Sequence, residues 1–189
     1  MREYSSKFRI WHWLFAFSIL GVSVTVLLRE TYLNSYDMAD SLKEEILSLG
    51  VNLELEQARD ISHILTGGFW DWHIYFGYAF AFFLLVRIGM LIKNGFDYPK
   101  DTSIHKKLVY SSYKFLYLIL FVLASCGIVL HLGELNSIDE DSLWIFEEIH
   151  GIFGYIIMIF IPLHIIGVVV SDIKEDKGLI SRIISGSKK

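Results

Sequence analysis

Two residue types that hold soluble or secreted folds together are nearly missing: the 189 residues contain two prolines and a single cysteine, Cys126. One cysteine excludes an internal disulfide, a thiolate-rich zinc site and an iron–sulfur cluster built by this chain alone. Charge is missing too, though only locally. Aspartate, glutamate, lysine and arginine make up 20% of the chain but avoid certain stretches, and there the 53% hydrophobic and 15% aromatic content collects. With a mean hydropathy of +0.46, the surplus forms long apolar runs rather than the sprinkled core of a soluble domain.

A bilayer core of about 30 Å is crossed by roughly 20 apolar residues in a helix. The chain offers four such runs, from about Ile10 to Leu28, Phe69 to Ile92, Leu108 to Leu132 and Ile149 to Ser171. The first is followed by Arg29, Glu30 and Thr31 rather than a small-residue cleavage site, so it is read as a retained span. The expectation is an all-α integral membrane protein, a four-helix transmembrane bundle forming one domain over 1–189.

The connecting segments differ in charge. The N-terminal segment (Arg2, Lys7, Arg9), the link between spans two and three (Lys93, Lys100, Lys106, Lys107) and the tail (Lys174, Lys177, Arg182, Lys188, Lys189) all lean basic. The link after span one sets Arg29, Lys43 and Arg59 against Glu30, Asp37, Asp40, Glu44, Glu45, Glu54, Glu56 and Asp60, and the link after span three carries Glu134, Asp139, Glu140, Asp141, Glu147 and Glu148 with no base. Basic residues stay on the cytoplasmic side, so both termini are placed inside. The long outer link has helical apolar spacing over Asp40–Leu49 and Leu53–Leu65 with Gly50 between them, which predicts two short helices over the outer mouth, docking a partner or capping helix ends. Leu179, Ile180, Ile183 and Ile184 predict an amphipathic turn at the inner surface.

Ionisable groups are costly inside hydrocarbon and mark function there. Four histidines fall within the spans: His12, His73, His150 and His164. His150 and His164 are fourteen residues apart, a helical rise of about 21 Å, and their directions differ by only some 40°. One helix face therefore carries two ligands at two depths. Span direction puts His73 level with His150 and His12 level with His164, and two imidazoles from facing helices suit the axial positions of a haem. One histidine alone would be read as an interhelical hydrogen bond; two depth-matched pairs point to two haems. Two near-copies, HIYFGY at 73–78 and HGIFGY at 150–155, put Gly77 and Gly154 one turn from their histidines. There the missing side chain either admits a porphyrin plane or lets helices approach; Gly21 and Gly167 are the inner equivalents. His63, His105 and His131 lie at or beyond span ends, where water satisfies them, with His131 the substitute outer ligand. Arg87 is read either as a counter-ion for an inner haem propionate or as snorkelling to the interface, and Arg9, Trp11 and Trp13 as a possible quinone border or ordinary interfacial aromatics.

These residues resemble the prokaryotic cytochrome b561 family, which includes the b-type cytochrome subunits of nickel–iron hydrogenases. The resemblance is carried by FRIWHW at 8–13, WHIYFGYAFAFFLLVRIGMLIK at 72–93 and EIHGIFGYIIMIFIPLH at 148–164. It implies two haems b held by His12 with His164 and His73 with His150, in a bacterial cytoplasmic-membrane protein that exchanges electrons with quinone. The long outer link departs from compact members. The partners expected are membrane lipid, quinone and an outer-face redox protein such as a c-type cytochrome or a hydrogenase, with no nucleic acid. The chain is read as an electron-transfer subunit rather than a stand-alone enzyme. The competing readings are a superoxide-oxidising cytochrome, which the acidic outer links would disfavour by repelling the anion, and a haem-free anchor or proton relay.

Overall fold

The computed structural model describes the backbone of residues 4–94, 104–174 and 176–186, with side chains for all but 94, 104–110 and 140. Among the described residues the only regular structure is helix: α1 (Ser6–Thr31), α2 (Ser35–Ser48), α3 (Leu55–Asn94), α4 (Ile104–Leu135), α5 (Glu140–Lys174) and α6 (Leu179–Ile184). Four of these are long and apolar enough to cross a membrane, so the chain is a multi-pass membrane protein. The window of α5 that meets this criterion is only 6% buried within the protein. So little protein cover on so apolar a helix requires lipid around it. The basic residues Arg2, Lys100, Lys188 and Lys189, and the side chains of His105, Lys106 and Lys107, lie outside the described residues.

Each helix overruns its apolar stretch, because a helix ends where its backbone finds a cap and not where lipid ends. α4 ends in a Schellman turn: Ser137 adopts φ 53° and the Ile138 N–H donates to Gly133 O at 2.9 Å. Residues 140–148, assigned by their charge to a connecting link, belong instead to α5. Acidic side chains favour a helix N-terminus, where the backbone dipole is positive.

The outer link differs more from expectation. α2 is capped by Asn34 Oδ1, which accepts from Tyr36 N and Asp37 N at 3.0 and 3.4 Å. It stops at Gly50, φ 81°, where Val51 N–H returns to Ile46 O. The second short helix does not stand alone: it is the first third of α3, opened by Gln57 Oε1 accepting from Glu54 N at 3.2 Å. Nothing breaks it at Gly67–Gly68. Two helical glycines cost about 1 kcal/mol each, whereas a break would strand several backbone groups at a membrane boundary, and no proline occurs in the segment.

Two compact units are distinguished, Met1–Phe17 with Tyr78–Lys189, and Ser18–Gly77. In the first, Trp11, Phe80, Leu84, Ile119, Leu120, Leu123, Cys126 and Ile157 are buried. Trp11 Nε1 donates to Phe83 O at 3.0 Å, and Phe15 stacks on Phe80. The short helix α6 is more firmly fixed than its sequence suggested. Arg182, 2% exposed, pairs with Asp176 and donates to Lys177 O, while Arg9 and Trp13 of α1 donate to Ile184 O and Ile183 O, both at 3.2 Å. In the second unit small residues line the contact between helices: Ser18, Thr25, Ala39, Ala58 and Ser62 are buried, and a Cβ on Gly21 would meet the Phe76 ring at 2.6 Å.

Candidate haem-ligand site

In the first unit α5 carries His150 and His164, and α1 carries His12. All three are partly buried. His12 lies near enough to His164 and to Arg87 for their charges to act on it, so residues 152 positions apart in sequence are brought to one place. Each of the two imidazoles stacks on a phenylalanine one turn earlier in its own helix, Phe8 on His12 and Phe160 on His164. That repeated pairing fixes ring planes without using a nitrogen.

Arg87 is anchored beside them. Its Nε donates to Tyr117 Oη at 3.0 Å, and its Cζ sits 5.4 and 5.1 Å from the ring centroids of Phe8 and Trp11. An arginine costs about 2.5–3.5 kcal/mol at the centre of a span and less towards its end, where Arg87 lies. Two cation–π contacts at about 0.5–2 kcal/mol each, with a charge-assisted hydrogen bond of about 1.5–3 kcal/mol, are of a size to offset it.

The other two histidines are held by their Nδ1 atoms. His150 Nδ1 is 3.0 Å from Leu123 O. A carbonyl only accepts, so the ring proton is on Nδ1 and Nε2 carries the lone pair that a metal would take. One turn further along α4, Gly127 makes the seat: a Cβ there would lie 2.8 Å from His150 Cε1 and 3.3 Å from Nδ1.

In the second unit His73 Nδ1 is 3.2 Å from Thr25 Oγ1, and Thr25 Oγ1 donates its one proton to Val22 O at 2.7 Å. The hydroxyl is thereby left to accept, and His73 Nδ1 must donate. His73 is therefore the same tautomer as His150, reached through a different partner. Outer partners of this kind are worth about 10- to 100-fold in metal affinity. Thr25→Val should raise the dissociation rate of a haem held by His73 by about that factor, with Thr25→Ser close to wild type. A Val variant that holds haem as tightly as wild type would remove Thr25 from the site.

Gly77 and Gly154 are not where helices press together: a Cβ on either meets no atom within 4 Å among the described residues. The close approaches between helices fall at Gly21, Gly127 and Gly133, and the sequence does not single out the last two. Gly167 likewise has open space around it. His63 meets the Tyr36 ring edge-on. His131, one turn beyond Gly127, meets Tyr78 edge-on and keeps a buried Nδ1 without a hydrogen-bond partner.

The donors suit a macrocycle better than a bare ion. Among the described residues no three His, Cys, Asp or Glu side chains gather into a chelating cluster, and a bare zinc site needs at least three. A haem brings four nitrogens and asks for two imidazoles.

Apolar spans carrying four histidines, two of them held by hydrogen bonds at Nδ1, have the donor set that a membrane protein binding haem requires. A family model described as prokaryotic cytochrome b561 matches residues 3–186, and the chain belongs to that family. It is accordingly a membrane cytochrome of the b type, acting in electron transfer. No curated protein and no solved structure matches it.

Proposed function

We propose that this chain, as one domain with both termini in the cytoplasm, holds two haems b and passes electrons between the quinone pool and a redox partner outside the bacterial cytoplasmic membrane. His12 and His164 would be the axial ligands of one haem and His73 and His150 those of the other. The observation that carries the reading is the pair of Nδ1 hydrogen bonds, which put a metal-binding lone pair on His73 and His150 alike.

Bound there, haem supplies a one-electron iron couple. The chain supplies the rest. Leu123 and Thr25 hold two imidazole tautomers, and Phe8 and Phe160 hold the planes of the other two. Arg87, its Nε committed to Tyr117, would offer its remaining N–H groups to a haem carboxylate near His12. Gly77 and Gly154 would give the porphyrin room. The test is an absorption spectrum of the purified chain: a sharp α band on dithionite reduction is expected. A colourless protein after haem-replete expression would leave only a membrane anchor or a proton relay.

The outer partner would be basic. Asp37, Asp40, Glu44 and Glu45 on α2, with Glu54, Glu56 and Asp60 at the start of α3, are all exposed. Oppositely charged surfaces steer encounter, and salt screens them beyond about 8–10 Å. The rate of electron transfer to a basic c-type cytochrome should therefore fall as ionic strength rises. A salt-independent rate would remove the basic partner and leave the haem sites untouched.

A further inference from the structure

Arg29 lies just past span one and Trp70 near the start of span two, and in the structure Trp70 stacks on His73 while Arg29 covers Trp70. The indole of Trp70 lies at 3° to the His73 imidazole with centroids 4.8 Å apart. The Cζ of Arg29 is 4.3 Å from the Trp70 ring centroid. Residues three apart on a helix are neighbours, but spacing alone does not make their rings parallel. Offset stacking of the two rings fixes how far the imidazole can turn, and Thr25 fixes its Nδ1 edge. Edge and face of one ring are thus both held.

Arg29 adds charge to the stack. A guanidinium is planar, stacks on aromatic faces and stays protonated. The group it covers is an indole and not a carboxylate. Its charge lies within about 9 Å of the His73 ring, the two separations laid end to end, a distance at which charges still act on one another near a protein surface. A nearby cation favours whichever redox state of a bound centre is the more negative, which is the reduced one.

We propose that Trp70 and Arg29 are positioning residues for the ligand His73: Trp70 sets the plane of its ring, and Arg29, acting through the stack, raises the reduction potential of the haem that His73 binds. The inference rests on the reading of His73 as an axial ligand. The haem near His12 has a related stack, Arg87 over Phe8 and Phe8 on His12, but that arginine is partly buried and bonded to Tyr117, whereas Arg29 is exposed. The haem next to the outer partner is thereby given its own potential, adjustable by surface residues that touch no iron.

The experiment uses the full chain, purified with haem in mild detergent. Redox titration at the α band reads the two potentials, and low-temperature electron paramagnetic resonance of the oxidised protein reads ligand-plane orientation. Arg29→Gln should lower one potential and leave the other in place; Arg29→Lys, which keeps the charge, should hold it. Trp70→Leu should move one low-spin signal; Trp70→Phe, which keeps a ring face, should leave it. A lysine variant whose potential falls as far as the glutamine one, a phenylalanine variant whose signal moves as far as the leucine one, or no change in any variant overturns the proposal. His73→Ala is the separate control. If that chain keeps both haems, the ligand assignment fails rather than the stack.

Discussion

Replacing His164 by alanine is expected to remove one haem and leave the second, with its potential, intact. His12→Ala should do the same. The decisive measurement is the double variant: two residues that grip the same iron are not independent, and losses at coupled positions do not add. His12→Ala/His164→Ala should lose no more pigment than either single change, whereas His164→Ala combined with His73→Ala should lose both haems. Haem-to-protein ratios on purified material read this directly. Four single variants that each retain both haems would overturn the ligand assignment. A His12/His164 double variant losing both haems would mean that the two residues serve different irons. Equal loss in the single and double variants is the expected outcome, because the structure brings His164 of α5 close enough to His12 of α1 to act on it electrostatically.

Gly127→Val should empty the other site without touching a ligand. A Cβ at this position would lie 2.8 Å from the His150 ring, and the branched side chain extends further in the same direction. His150 must then move, and its hydrogen bond to Leu123 O, 3.0 Å long, is lost with it. Overpacking of this kind costs about 1–3 kcal/mol, which a protein in lipid can survive while a ring displaced from an iron cannot bind it. The haem proposed at His150 should be lost, and the one proposed at His12 kept. Gly127→Ala, with a single methyl, should fall between. A valine variant that keeps both haems at wild-type potentials would show that the contact is packing only. Gly89, whose Cβ position is also open and which has no part in the proposed sites, is the matching control for a side chain added to a helical glycine.

The two sets of variants probe different sites, one through its ligands and one through a neighbour of a ligand, and these residues were not equally visible beforehand. His12, His73, His150 and His164 stand out because an ionisable side chain in an apolar run is costly and therefore conspicuous. Gly127 does not stand out. Small residues are common in membrane helices for many reasons, and no periodicity marks the one that faces an imidazole. Thr25 was hidden for the same reason, since its role depends on which helix crosses α1 at that level. The outer link was half legible: Gly50 announced a break correctly, but helical spacing on both sides of Gly67–Gly68 could not say whether one helix or two lay there.

The sequence by itself determined that the chain is helical, that it crosses a membrane four times and which histidines sit at membrane depth, because hydrocarbon length, backbone hydrogen bonding and the cost of buried charge are properties of local composition. Only the tertiary structure decided which nitrogen of His73 and His150 carries the proton, that Arg87 is caged by Phe8, Trp11 and Tyr117, that Arg182 is buried, and that Trp70 lies flat on His73 beneath Arg29. Most of those facts depend on contacts between helices, and even the stack of Trp70 on His73 within α3 is covered by Arg29 of α1. Helix rotation and crossing set them, and no local pattern encodes either.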